Sequence, residues 1–179
     1  MQKEFVNLKV HSQFSICEGA VKIQNLASYC SENSISAVGI SDTSNMSGSL
    51  EFANELIKNG TQPIIGTQVY FKQKIQGDFF YGKISFIAKN EKGYKNLLKI
   101  SSKSYLDLEE SDDLPSLFLQ DLKDYSSDLI ILIGGSNSFF SNLLIKNHDE
   151  FCKNEIEKLK NLFLNNIYIE IQRHGESHE

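Results

Sequence analysis

The sequence predicts an α/β fold with a mostly parallel sheet, open or closed into a barrel, and three observations carry that prediction. Short apolar runs of strand length alternate with segments whose apolar residues recur at i, i+3, i+4 and i+7. Two such runs, Leu8-Lys9-Val10-His11-Ser12 and Ile40-Ser41-Asp42-Thr43, end in polar residues ahead of a loop. That is the position where α/β proteins place metal and phosphate sites. At 179 residues and 40% hydrophobic content the chain can build one good-sized core.

The elements follow in order. Residues 5–10 read as a strand. Ile23, Leu26, Ala27 and Cys30 form one face of a helix, and residues 37–41 have strand length. Leu50, Phe52, Ala53, Leu56 and Ile57 are again helical, closed by Asn59-Gly60. A strand over 64–71 follows Pro63. Residues 73–82 carry two glycines and turn into a strand over 84–88. Asn90-Glu91-Lys92-Gly93 reads as a polar turn, with a helix from Tyr94 through Leu97, Leu98 and Ser101. Residues 107–115 hold five carboxylates and read as an exposed loop. A short helix over 117–122, a buried strand over 129–133 ending in Gly134-Gly135, an amphipathic Lys-rich helix over 151–164 and a last strand over 167–171 complete the series. The remaining residues, 172–179, add no closing element, so a barrel would keep an open edge and the chain reads as a fragment of something longer.

Composition excludes several classes. A formal charge of -5 gives no global field favouring nucleic acid. Cys17, Cys30 and Cys152 are odd in number and form no CxxC pair, which argues against a disulfide framework or zinc knuckle and for buried or semi-buried thiols in a reducing cytoplasm. The start lacks an apolar secretory core, and the longest apolar run, 129–133, is far short of a membrane span. A soluble, cytoplasmic protein without a membrane partner is expected.

A hydrolytic metal site needs several His, Asp or Glu side chains converging around an open position. The candidates at strand ends are His11, Glu18, Asp42 and Glu170. His11 could be a ligand or could hydrogen-bond its own loop; with no second histidine nearby, the structural role is favoured. Asp42 stands just before a helix, where an Asx-turn or capping role needs no metal. Glu18 could be merely solvated, and Glu170 points away from Ile169 and Ile171. His148 and Asp149 start a helix and read as exposed. His174 and His178 have i, i+4 spacing in a polar terminus. Gly134-Gly135-Ser136-Asn137-Ser138 resembles a phosphate-binding turn but lacks the Lys-Ser/Thr of a P-loop. The aromatics do not alternate with basic residues as a stacking platform would require.

Five collinear segments carry a resemblance. They are Phe5 to Ser15 with Glu18-Gly19-Ala20; Ile40 to Gly48 with Glu51-Phe52; Lys58 to Gly66; Ala88 to Leu97; and Tyr168 to Gly175. Together they resemble the amino-terminal polymerase-and-histidinol-phosphatase (PHP) domain of the bacterial C-family replicative polymerases, the DNA polymerase III alpha subunits. The resemblance implies a distorted (β/α)7 barrel over residues 1–179, truncated before its last strand and continued by a longer polymerase chain. Metal-binding members carry His-x-His in the first motif, where this sequence has Lys9-x-His11. Their Asp-His is Asp42-Thr43 here. Gln68 replaces a glutamate, Lys83 a histidine, and Gly135 falls near a Cys or His. Of seven ligand positions in this span, His11, Glu18 and Asp42 remain usable.

The resemblance therefore implies a vestigial metal site at Lys9, His11, Glu18, Asp42, Thr43, Gln68, Lys83 and Gly135, with neither metal nor catalysis in this segment. Lys9 and Lys83 would supply the lost positive charge and pair with Glu18 or Asp42. The parent would be a DNA-directed DNA polymerase, a nucleotidyltransferase using magnesium. Implied partners are the remainder of that chain, the proofreading exonuclease subunit, the replicase complex and, through the parent, DNA. An active metal-dependent phosphoesterase or 3'-5' exonuclease is the alternative.

Overall fold

The structure is a computed structural model that describes residues 5–108, 112–135, 137–172 and 175. It divides into two compact units, residues 1–68 and 69–179.

In the first unit, helix α1 (Ile23–Glu32) and helix α2 (Ser49–Lys58) flank strand β1 (Ala37–Thr43) in sequence, and β1 pairs in parallel with the first residues of strand β2 (Gln62–Ile75). Ala37 lies opposite Gln62 and Thr43 opposite Gln68. The predicted α1 face packs as expected, whereas of the predicted α2 face Phe52 and Leu56 are buried and Leu50 and Ile57 are exposed. Ile23, Ala27 and Cys30 of α1 meet Val38 and Ile40 of β1 and Phe52 and Leu56 of α2 in one buried cluster. Each large side chain removed from water in this way contributes about 1.5–3 kcal/mol. The strand expected over 5–10 is only partly realised. Those residues lie alongside β1, with Val10 N–H donating to Gly39 O at 3.0 Å and Ser41 N–H to Val10 O at 2.8 Å, but the ladder reduces to a single parallel bridge, Val10 to Ile40.

In the second unit, β2 continues and is followed by strand β3 (Asp78–Ala88), with Gln76 and Gly77 between them. Both turn residues have positive φ, the signature of a two-residue type I′ hairpin. Strand β5 (Leu129–Gly134) pairs antiparallel with β3, and strand β6 (Ile167–Glu170) pairs parallel with β5. Strand β4 (Ser116–Leu117) lies parallel to β2 at Tyr70 and Phe71. The sheet is thus mixed but mostly parallel as expected, with β3 alone reversed. A two-residue turn can only return the chain antiparallel, so β3 enters reversed. Phe71, Phe86, Phe139 and Phe163 are fully or almost fully buried and touch in tilted and edge-on pairs, with Phe71 and Phe86 centroids 5.9 Å apart.

Helix α3 (Glu91–Leu106) starts earlier than expected. Asn90 is its cap, its side chain accepting from Gly93 N–H at 3.0 Å, so the residues read as a polar turn form the first helical turn. Gly93 is there for packing: a Cβ would lie 2.1 Å from Asp128 O. The helix expected over 117–122 is displaced and tightened into a 3₁₀ helix, Leu119–Asp124, after β4. Helix α4 (Phe139–Ile145) follows the glycine turn, capped by Ser138, and helix α5 (Asp149–Phe163) follows it. No helix among the described residues is long and apolar enough to cross a membrane.

Candidate functional site

In the first unit the polar ends of residues 5–12 and of β1 meet in one hydrogen-bonded cluster. Asp42 is almost fully buried. Its Oδ1 accepts the Ser12 N–H at 2.6 Å and the Ser15 hydroxyl at 2.7 Å, while Oδ2 accepts the Ser12 hydroxyl at 2.7 Å. A buried carboxylate needs such donors, because an unpaired one is strongly disfavoured away from water. Asp42 therefore fastens the 11–15 loop onto the end of β1. The capping role expected of it is replaced by this loop-holding role across 30 residues of sequence.

A hydroxyl has one proton to give. Ser15 gives its proton to Asp42, which leaves its oxygen to accept from Thr43 N–H at 3.1 Å and to face His11 Nδ1 at 3.4 Å. His11 Nδ1 then carries a proton in this arrangement, and the loop hydrogen bond weighed for His11 is present. Thr43 gives its own proton to Glu18 Oε2 at 2.5 Å, with Gln68 Oε1 3.4 Å away. Glu18 is exposed, yet it is held rather than merely solvated. Of the vestigial positions, Lys9, His11, Glu18, Asp42, Thr43 and Gln68 lie in this unit. Ser12 and Ser15, which organise the cluster, were not singled out in the sequence; their signal was two hydroxyls three residues apart after a strand.

Lys83 and Gly135 lie in the second unit. The Lys83 ammonium sits 5.3 Å from the centroid of the Tyr70 ring. Gly135 has φ +85°, and a Cβ there would fall 2.9 Å from the Gln172 side chain. A histidine or cysteine at this position would be strained in its backbone and crowded by Gln172. Glu170 is half-buried and accepts from Gln172 Nε2, whereas its neighbours Ile169, in β6, and Ile171, just after it, are exposed.

Three further readings change. His148 occupies the N-cap position of α5 without a side-chain capping hydrogen bond and stacks edge-on against Phe80, at 4.8 Å between centroids, so it is not simply exposed. Asp112, placed in an exposed acidic loop, is buried and pairs with Lys72 of β2 at 2.5 Å, and the Lys72 ammonium also lies 5.0 Å from the Phe118 ring centroid. Cys30 and Cys152 are buried as expected, and burial pushes both thiols up; Cys17 is exposed. His174, His178 and Ser136 lie outside the described residues.

Among the described residues no three His, Cys, Asp or Glu side chains are grouped as a metal ion would require. Within the first unit Asp42 is spent on loop donors, leaving His11 and Glu18 as the other ligand-type side chains among the expected positions.

Comparison with known proteins places this geometry in a family. DNA polymerase III subunit alpha of Borreliella burgdorferi is 38% identical over 97% of the chain, that of Aquifex aeolicus 34% over 96%, and that of Haemophilus influenzae 29% over 99%. The chain spans 16%, 16% and 15% of those proteins' lengths, respectively. Among solved structures, an amidohydrolase from Chromobacterium violaceum, determined with bound sulfate and no metal, superposes with a TM-score of 0.51 at 10% identity, covering 84% of this chain and 74% of that one. The likeness is one of fold. The sequence profile of the PHP domain matches residues 7–174, and the chain belongs to that family.

Proposed function

We propose that this chain is the PHP domain of a replicative DNA polymerase III alpha subunit and serves as a non-catalytic structural and adaptor segment within that longer, cytoplasmic polymerase chain. The observation that carries the reading is the near-complete match of the chain to a short segment of alpha subunits, 97% of its length against 16% of the Borreliella burgdorferi protein. DNA-directed polymerisation, its magnesium and DNA contact belong in this reading to the remainder of the parent chain. The proofreading exonuclease subunit and the replicase complex are the proposed partners.

The absence of a catalytic role is supported by the chemistry of the cluster. A threonine at 43 and a lysine at 9 stand where metal-binding members would carry histidines, and Asp42 holds its loop through two serines. Lys9 is proposed to help replace a metal's positive charge in this cluster.

The test has two arms. Metal analysis of the purified chain is expected to find no stoichiometric zinc, manganese or iron, and added metal should elicit no release of nucleotides from single-stranded DNA. Stoichiometric metal with 3'-5' degradation would establish the exonuclease alternative. For the cluster itself, Lys9→Met is expected to lower the urea midpoint and leave metal content unchanged; a variant as stable as the parent sequence overturns the charge-replacement role.

A further inference from the structure

We infer that the second unit contains a binding site for a primary ammonium group, in the cavity between the end of α3, β4 and the 3₁₀ helix. The cavity has a volume of about 330 Å³ and is lined by Lys72, Asp107, Ser116, Phe118 and Asp121. Pockets of this size take small organic ligands.

Three acceptors face it with capacity to spare. Ser116 is 2% exposed, and its Oγ has no hydrogen-bond partner within the described structure. A buried hydroxyl left so costs free energy that a ligand or water donor recovers. Asp121 uses Oδ2 to accept the Phe118 N–H at 2.9 Å, and its Oδ1 has only the Lys103 ammonium, 3.6 Å away. Asp107 meets the same ammonium through Oδ2, leaving Oδ1 as an unspent acceptor. An alkylammonium carries three donors on one nitrogen, which matches this set.

Charge selects the same ligand. Lys72 and Asp112 cancel as a buried pair. Lys103 is shared between Asp107 and Asp121, so the two carboxylates and one ammonium leave a single negative charge. A monocation balances it, while an anion would meet carboxylates on two sides. A bare divalent ion is not favoured, because no group of three ligand-type side chains suits a metal among the described residues.

The ammonium could come from a free amine or from a lysine side chain of a protein partner. The experiment is an NMR titration of the ¹⁵N-labelled chain with n-butylammonium and, separately, with Nα-acetyl-lysine methylamide. Saturable shifts centred on the Ser116, Phe118 and Asp121 amides are expected with both; tighter binding of the lysine derivative assigns the site to a protein side chain, and tighter binding of butylammonium to a free amine. Ser116→Ala should weaken binding roughly fivefold, the loss of one hydrogen bond, and Asp107→Asn should remove saturation. Tetramethylammonium, with no N–H, should not saturate. Absence of saturable shifts in a well-dispersed spectrum, or tetramethylammonium and Ser116→Ala behaving like the reference pair, overturns the site.

Discussion

At the scale of single residues, the behaviour of Asp42 follows from its three donors. Replacing one carboxylate oxygen by an amide sets an N–H against either the Ser12 N–H or a serine hydroxyl, so a buried acceptor becomes a competing donor. Asp42→Asn is expected to cost about 2 kcal/mol in urea-induced unfolding, within the range for hydrogen bonds to charged groups, and the double change Ser12→Ala with Ser15→Ala should cost less than the sum of the single ones because they share that carboxylate. The thiols make a second prediction. Cys30 and Cys152 are buried with raised pKa, and Cys17 is exposed. A thiol reagent should modify one cysteine rapidly in the folded chain and the other two only on unfolding. The residue types of this cluster were legible in the sequence, since His11, Glu18 and Asp42 stand where strands end. Their connectivity was not, because Ser15 reaches Asp42 and Thr43 across 27 and 28 residues of chain, and a hydroxyl's partners are set by tertiary placement.

At the scale of elements, α3 depends on a small polar knot at its start. Asn90 caps the helix and donates from Nδ2 to Asp128 Oδ1 at 2.8 Å, and Lys92 pairs with Asp128 at 3.2 Å. The Asn90 amide first, and then Lys92, hold the Asp128 carboxyl below the usual range. A group whose pKa is lowered on folding stabilises the fold above its ordinary pKa of about 4 and loses that contribution as pH falls through the lowered value. Acid unfolding of Asp128→Asn should therefore show a shallower loss of stability below about pH 4 than the reference chain. The buried pair Lys72–Asp112 ties β2 to the segment before β4. Lys72→Met alone takes the Lys72 ammonium away from the buried Asp112 carboxylate and is expected to lower the urea midpoint, whereas Lys72→Met with Asp112→Leu should recover much of the loss. Helices α1 and α2 were readable because their apolar spacing is undisturbed. The start of α3 was hidden by Gly93, a residue that reads as a turn until its contact with Asp128 is known.

At the scale of the whole molecule, the α/β class came through because alternation of apolar period survives any arrangement of the strands. The direction of β3 did not, since Gln76 is an ordinary residue at a positive-φ turn position and only Gly77 signalled the hairpin. The acidic stretch misled for a related reason. Five carboxylates read as a solvated face, and nothing in the local sequence says that Lys72, some forty residues earlier, will take Asp112 out of water.

Strand β6 sets how the separate chain will behave in solution. Among the described residues it is the last strand in the sheet order, and Tyr168, Ile169 and Ile171 are 54%, 76% and 80% exposed. No proline or lysine guards the stretch from 167 to 172, and such residues are what keep a free strand edge from pairing with its neighbours. Concentration will therefore govern its colloidal state: light scattering should show mass rising with protein concentration, and Ile169→Lys should suppress that rise at unchanged helix content. A sample handled as though it were monodisperse would then report the stickiness of three residues in place of the stability of the fold.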